Sequence, residues 1–189
     1  MGDLSDHCYA FPFLGGVLTI IALLCPVAYF ISDEVMWYGT YIWMWGLSIS
    51  RELGRSEILL FRRRPDLFFQ TYGLEIFGII PSLISTIGLV FCAFILISTA
   101  QKVKHNNMDE DLAAKIWVIM SILITSLTIF WIISMEFYYA DFFEVVLGKI
   151  IVRGVSGDQF GFWAYFNPSF GLIAIFISAG ITLIGVYVK

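Results

Sequence analysis

Four long stretches of the chain are almost free of charged residues, and each is long enough to form a helix that crosses a bilayer. A hydrocarbon core about 30 Å thick requires roughly 20 helical residues. The stretches predict membrane-spanning helices over residues 10–32, 74–100, 115–136 and 168–188. Pro168 suits the first turn of the fourth helix, because proline is tolerated there and disfavours helix in the residue before it. Pro26 and Pro81 fall inside the first and second predicted helices, where we expect kinks.

The segment that follows the first predicted helix has a period of two instead of the helical period. One face would carry Tyr41, Trp43, Trp45, Leu47 and Ile49, and the other Ile42, Met44, Gly46, Ser48 and Ser50. This alternation is typical of a half-buried strand. The alternative is a fifth membrane pass, for which the 16 uncharged residues 35–50 are short and are interrupted by two glycines.

Other segments are predicted to join the same small sheet. Residues 57–61 and 67–72 are compatible with strands and are separated by a polar turn that contains Pro65, so they predict a hairpin. Residues 149–153 predict one more strand, from the loop between the third and fourth helices. Because the edge of a sheet in lipid would leave N–H and C=O groups unpaired, the sheet is expected outside the hydrocarbon.

The predicted fold is therefore an all-α membrane protein, a four-transmembrane-helix bundle that carries a small extramembrane antiparallel β-sheet. The sheet comes from loops at residues 33–73 and 137–167, and residues 1–189 form a single four-span membrane domain. Composition agrees, since only 14% of the residues are charged, whereas a soluble domain has about 25%. The 11 basic and 15 acidic residues give no electrostatic reason to expect a nucleic-acid partner.

Several residues of this layout match a known family pattern. Trp37 precedes a Gly46-Leu47 pair in the first loop, Pro26 lies near the end of the first span, and the fourth span contains Gly171, Gly180 and Gly185. With four spans, a long first loop and a later loop that adds a strand, the chain resembles the claudin and peripheral myelin protein superfamily. The resemblance covers nearly the whole chain in layout.

The chain departs from that family's motif at two points. Ser48 stands where the family has a tryptophan after the Gly-Leu pair, and Trp45 precedes the pair instead. The two loop cysteines that form the family's disulfide are absent, since Cys8, Cys25 and Cys92 lie elsewhere. The chain therefore resembles a distant, disulfide-free relative.

Small residues recur along the second and fourth predicted helices. Helices in lipid associate through close packing at such residues, and the positions are Gly78, Ser82, Ser85, Gly88, Gly171, Ala174, Ser178, Gly180 and Gly185. They predict either packing inside the bundle or a lateral face for a partner. The many aromatic residues near the span ends suit the membrane interface, and some of them an exposed sheet edge.

The resemblance implies an integral membrane protein of the cell membrane, multi-pass, with cytoplasmic termini and the sheet outside. It implies a structural or cell-adhesion role, in which the protein forms a homo-oligomer or docks to other membrane proteins within the lipid bilayer. The residues predicted to carry the interaction are Trp37, Trp43, Trp45, Gly46, Leu47, Arg62, Arg63, Arg64, Gly171, Ser178 and Gly180. The basic run at 62–64 would attract anionic lipid if it were cytoplasmic, or pair with acids if it were outside.

Basic residues favour the opposite orientation from the one that the resemblance implies. The two sheet-bearing loops carry seven Lys and Arg, whereas the termini and the middle loop carry four. The positive-inside rule thus places the sheet in the cytoplasm. We retain the sheet-outside orientation as the prediction to be tested.

No pattern of an enzyme is found in the sequence. Neither a Walker loop nor GxSxG nor HExxH occurs, and His7 and His105 both lie outside the spans, so the chain is predicted to be a non-enzyme without cofactor or metal. Two alternatives remain: a pore-forming or transport protein lined by loop residues such as Glu52, Arg55 and Arg64, or an accessory subunit that stabilises a larger membrane enzyme complex.

Overall fold

The described residues form four helices with a small antiparallel sheet at one end. A computed structural model describes residues 8–32, 38–52, 55–60, 75–142, 163 and 166–188. The helices are α1 Ala10–Leu24, α2 Glu75–Lys104, α3 Glu110–Phe142 and α4 Phe170–Val188. The strands are β1 Ala28–Ser32, β2 Tyr38–Ile42, β3 Leu47–Glu52, β4 Arg55–Leu60 and β5 Asn167–Pro168.

The four helices pack in a ring. Each one contacts two neighbours, in the order α1, α2, α3, α4 and back to α1. Among the described residues, three helices are long and apolar enough to cross a membrane, namely Ile80–Lys104, Glu110–Glu136 and Phe170–Val188, while Ala10–Leu24 is a shorter apolar helix. The protein is a membrane protein with transmembrane helices.

The first helix ends earlier than the sequence predicts. The prediction of helix to residue 32 is wrong, because α1 stops at Leu24 and β1 begins at Ala28. Cys25 is already extended, with φ −98° and ψ 153°, as expected for a residue whose α conformation would clash with the ring of Pro26. Pro26 therefore ends α1 and does not kink it, whereas Pro81 lies inside the continuous helix α2.

The sheet has the strand order β4-β3-β2-β1-β5. Every described pair is antiparallel, which confirms a small antiparallel sheet. β1 to β4 come from the first loop, and β5 comes from the residues just before α4, where Asn167 pairs with Tyr29 and Pro168 with Ala28. The segments 67–72 and 149–153, predicted as strands, lie outside the described residues.

The alternating segment is a hairpin and not the single strand that its period of two predicts. β2 ends at Ile42 and β3 begins at Leu47, so Trp43 lies in the connection. The two strands pair with Tyr41 opposite Ile49. The prediction that this segment is sheet is confirmed, but the chain reverses at its tryptophans.

The turn between α2 and α3 lies at the opposite end from the sheet. Asn106 has a left-handed φ of 55°, and the N–H of Asn107 donates to Lys102 O (2.8 Å), which closes the end of α2 as a Schellman motif. Asp109 then caps α3 by accepting from the Leu112 N–H (3.2 Å). The middle loop is therefore a short, well-defined turn.

Candidate functional site where the sheet meets the helices

The β2–β3 turn is built around a glycine with a left-handed backbone. The Gly46 N–H donates to Trp43 O (3.1 Å), and the Trp43 N–H donates to Leu47 O (2.8 Å). Gly46 has φ 93°, a conformation that L side chains adopt only with strain. This is the three-residue hairpin loop in which a turn is followed by a glycine bulge. Gly46 is therefore required by the backbone conformation of this turn.

The two tryptophans of this turn bind the end of α1. Trp43 Nε1 donates to Leu24 O at 2.9 Å, and Trp45 Nε1 donates to Leu23 O at 3.0 Å. The last carbonyls of a helix lack partners within the helix, and an unpaired carbonyl in a membrane costs several kcal/mol. The two indoles therefore cap α1 and fasten the sheet to it.

The backbone next to Pro26 joins α1, the sheet and α4. The Gly171 N–H donates to Pro26 O (3.0 Å), the Ser169 N–H donates to Val27 O (2.9 Å), and the Val27 N–H donates to Ile42 O (2.8 Å). Three segments that are distant in sequence thus share one hydrogen-bonded junction. We define the sheet–helix junction as the Trp43–Leu47 turn, residues 23–27 and the start of α4.

The junction is closed by an apolar core. Val27, Ala28 and Met44 are fully buried, and Ile42 and Phe166 are nearly so. All five belong to the cluster that extends down into the helices. These five residues form a closely packed apolar centre of the junction.

A third tryptophan, Trp163, is hydrogen-bonded to α3. The Trp163 N–H donates to a Glu136 carboxylate oxygen (3.1 Å), and its indole N–H donates to Ile132 O (3.2 Å). Its ring meets that of Trp131 edge-on, with centroids 6.3 Å apart. Trp131 Nε1 in turn donates to Ser82 Oγ (3.3 Å). Both sheet-bearing loops are therefore held to helices by indole N–H groups.

Most of the small residues pack inside the bundle. A Cβ at Gly171 would lie 2.7–2.8 Å from the carbonyl oxygens of Pro26, Ala22 and Cys25, so only glycine permits this contact between α4 and α1. Ser178 is fully buried, and its Oγ lies 2.9 Å from Thr19 Oγ1 of α1. These contacts support the bundle interpretation for Gly171 and Ser178.

Gly180 behaves differently from the other small residues of α4. It is exposed, and a Cβ built on it would meet nothing within 4 Å. The exposed residues at helical spacing around it on α4 are Ile173, Phe176, Ile177, Ile184 and Tyr187. Gly180 is thus a shallow notch in the outward apolar face of α4.

The predicted interaction residues therefore separate into groups. Trp43, Trp45, Gly46 and Leu47 belong to the junction, Gly171 and Ser178 are buried, and Gly180 is exposed. Trp37 and Arg62, Arg63 and Arg64 lie outside the described residues. Sequence reasoning missed that the carbonyls of Leu23 and Leu24 are the partners of the tryptophans, although Pro26 signalled a helix end that needs donors.

The junction brings together hydrogen bonds and apolar contacts, and its described side chains carry no charge. In the part of the chain that the structure describes, no group of three or more His, Cys, Asp or Glu is placed to hold a metal ion. Cys8, Cys25 and Cys92, which all lie within the described residues, are not joined in disulfides. A comparison with known proteins found no family model that matches the chain and no curated protein that is similar to it.

Proposed function

We propose that the protein is a claudin-like, four-span structural protein that associates with copies of itself or with other membrane proteins through its sheet and the outward face of α4. The observation that carries the proposal is the attachment of the sheet to the end of α1 by Trp43 and Trp45, with Trp163, which precedes β5, bonded to α3. A sheet held in this way presents a fixed surface, so little conformational entropy is lost on docking.

The layout of the sheet supports the same proposal. The resemblance to the claudin superfamily implies that the loop before the fourth span adds a strand to a first-loop sheet, and β5 pairs with β1 in that way. β4 lies at one end of the strand order, and its outer edge pairs with no strand among the described residues. An edge of this kind is a template for pairing with another chain.

The notch at Gly180 supplies the lateral contact. Helices in lipid approach most closely at small residues, and Gly180 is the small residue of α4 that is exposed and free of neighbours within the bundle. A partner helix seated there would cover the apolar residues around it. Orientation with the sheet outside the cell and the termini in the cytoplasm completes the proposal.

The association is tested with protein purified in mild detergent and measured by light scattering. The wild-type chain should form a defined oligomer or complex, and Gly180→Ile should weaken association about tenfold, which is about 1.4 kcal/mol. Ser126→Ile is the matched control, because Ser126 is exposed on α3 and the variant presents the same isoleucine side chain on another helix. A wild-type particle that is monomeric at all concentrations and binds no partner would contradict the proposal, and ion leakage in liposomes would favour a pore.

A further inference from the structure

The outer face of the sheet carries a row of two tyrosines and an isoleucine that the described residues leave partly exposed. Tyr29, Tyr41 and Ile49 are directly opposite one another on β1, β2 and β3, so they share one face. The rings of Tyr29 and Tyr41 stack with centroids 6.4 Å apart. Tyr41 is 41% exposed, whereas Ala28 and Ile42 on the opposite face are buried against the helices.

The depth of this row follows from α4. Its 19 residues rise about 28 Å at 1.5 Å per residue, which nearly equals the hydrocarbon thickness of about 30 Å. Phe170, the first residue of α4, therefore lies near the hydrocarbon boundary. Pro26 lies at the same depth, because its carbonyl accepts the Gly171 N–H.

The strands then place the tyrosines just beyond that boundary. The carbonyl of Ile42 accepts a hydrogen bond from the N–H of Val27, which is one residue past Pro26. Tyr41 lies one strand residue farther from the boundary than Ile42. At 3.4 Å per residue, Tyr41 is therefore at most about 7 Å beyond the hydrocarbon boundary. The headgroup layer on each side of a bilayer is about 5–8 Å thick. Tyr41 and Tyr29 thus reach the headgroup layer, where tyrosine and tryptophan are enriched.

Exposed apolar residues at the same end continue the surface. Leu24 at the end of α1 is 72% exposed, and Phe170 at the start of α4 is 58% exposed. They extend the outward apolar surface of the helices up to the level of the sheet. We propose that the Tyr29–Tyr41 face of the sheet is a lipid-binding surface seated in the headgroup layer, so that the bilayer itself fixes the tilt of the sheet.

Spin-label accessibility tests this inference. Tyr41→Cys and Ile49→Cys, each made with Cys25→Ser because Cys25 is partly exposed, would carry a nitroxide in phosphatidylcholine nanodiscs that hold one copy each. Both labels should collide more with oxygen and less with a water-soluble nickel chelate than a label at Arg51→Cys. Arg51 is the matched reference because it lies two residues beyond Ile49 on β3, about 7 Å farther along the strand.

Each outcome decides the question. Labels at 41 and 49 that collide with the nickel chelate as often as the label at 51 would place the row in water and overturn the inference. Labels shielded from both reagents would show that protein covers the face, which also overturns it. Shielding from both reagents that appears only when several copies share a liposome would assign the face to a second copy instead. Because single-copy nanodiscs exclude association, failure here leaves the association proposal to its own test.

Discussion

The indole nitrogen of Trp43 lies 2.9 Å from the carbonyl oxygen of Leu24, so a side chain of the sheet completes the hydrogen bonding of the helix beneath it. Trp45 does the same for Leu23 at 3.0 Å. Helix α1 ends at a proline and cannot satisfy these carbonyls by continuing. The hairpin of the sheet therefore supplies the C-terminal cap of α1.

Replacing either indole should loosen this attachment. Trp43→Phe or Trp45→Phe keeps an aromatic ring but removes the donor, and each should lower the free energy of unfolding by about 1–3 kcal/mol, since a carbonyl is left unpaired. Unfolding in detergent by denaturant titration measures the effect. Tyr41→Phe is the control, because it also changes one polar group on an exposed aromatic residue of the same hairpin, and it should be near neutral. Equal stability of all three variants would show that the indole bonds contribute nothing.

The turn glycine should resist replacement for a backbone reason. Gly46 has φ 93°, so Gly46→Ala should cost about 1–2 kcal/mol, the strain of a left-handed L residue. Gly46→Asn should cost less, because asparagine tolerates this region better. The ranking Gly above Asn above Ala in thermal stability is the expected result. A Gly46→Ala protein as stable as wild type would mean that the turn adopts another conformation.

Two glycines of α4 should respond in opposite ways to the same substitution. Gly171→Ala places a Cβ against three carbonyl oxygens at 2.7–2.8 Å and should destabilise the protein by about 1–3 kcal/mol through overpacking. Gly180→Ala meets no neighbour and should stabilise by up to about 1 kcal/mol through helix propensity. Thermal unfolding of the two variants side by side measures the contrast. Equal effects of the two substitutions on stability would contradict the close contact of α4 with α1 at Gly171.

The hydroxyl pair between α1 and α4 should show measurable coupling. Thr19 Oγ1 and Ser178 Oγ are 2.9 Å apart and fully buried. A double-mutant cycle with Thr19→Val and Ser178→Ala should give an interaction energy of about 0.6 kcal/mol, the average for such bonds in membranes. Thr125→Val with Ser178→Ala is a matched control, since the Thr125 hydroxyl donates to Ser121 O of its own helix, and no coupling with Ser178 is expected. An interaction energy of zero in the first cycle would show that the Thr19–Ser178 hydrogen bond contributes nothing to stability.

The sequence predicts the bounds of α4 closely but misplaces the end of α1. Both predictions rest on hydropathy. Hydropathy marks residues that avoid water but does not say whether lipid or protein covers them. Val27 and Ala28 are apolar because the sheet and helices bury them completely, and the hydropathy pattern alone therefore extends the first helix through them. Pro26 was the residue that marked the true end.

The hairpin at the tryptophans was hidden for a different reason. Trp43, Met44 and Trp45 are not turn formers by local propensity, so the reversal depends on bonds to α1 that no local pattern contains. Gly46 was the available signal, since an isolated glycine within a strand pattern indicates a bulge. The small residues of α4 show the same limit: spacing placed them on a helix, but only the packing of α1 separates buried Gly171 and Ser178 from exposed Gly180.

Thiol labelling on intact cells tests the central claim that the sheet lies outside the cell and the α2–α3 turn inside. A membrane-impermeant maleimide would be applied to Ser56→Cys on β4 and, separately, to His105→Cys, which is exposed at the opposite end of the helices, each with Cys25→Ser. The account predicts labelling of the cysteine at 56 in intact cells and of the cysteine at 105 only after permeabilisation. The reverse pattern, which the count of basic residues favours, would contradict it.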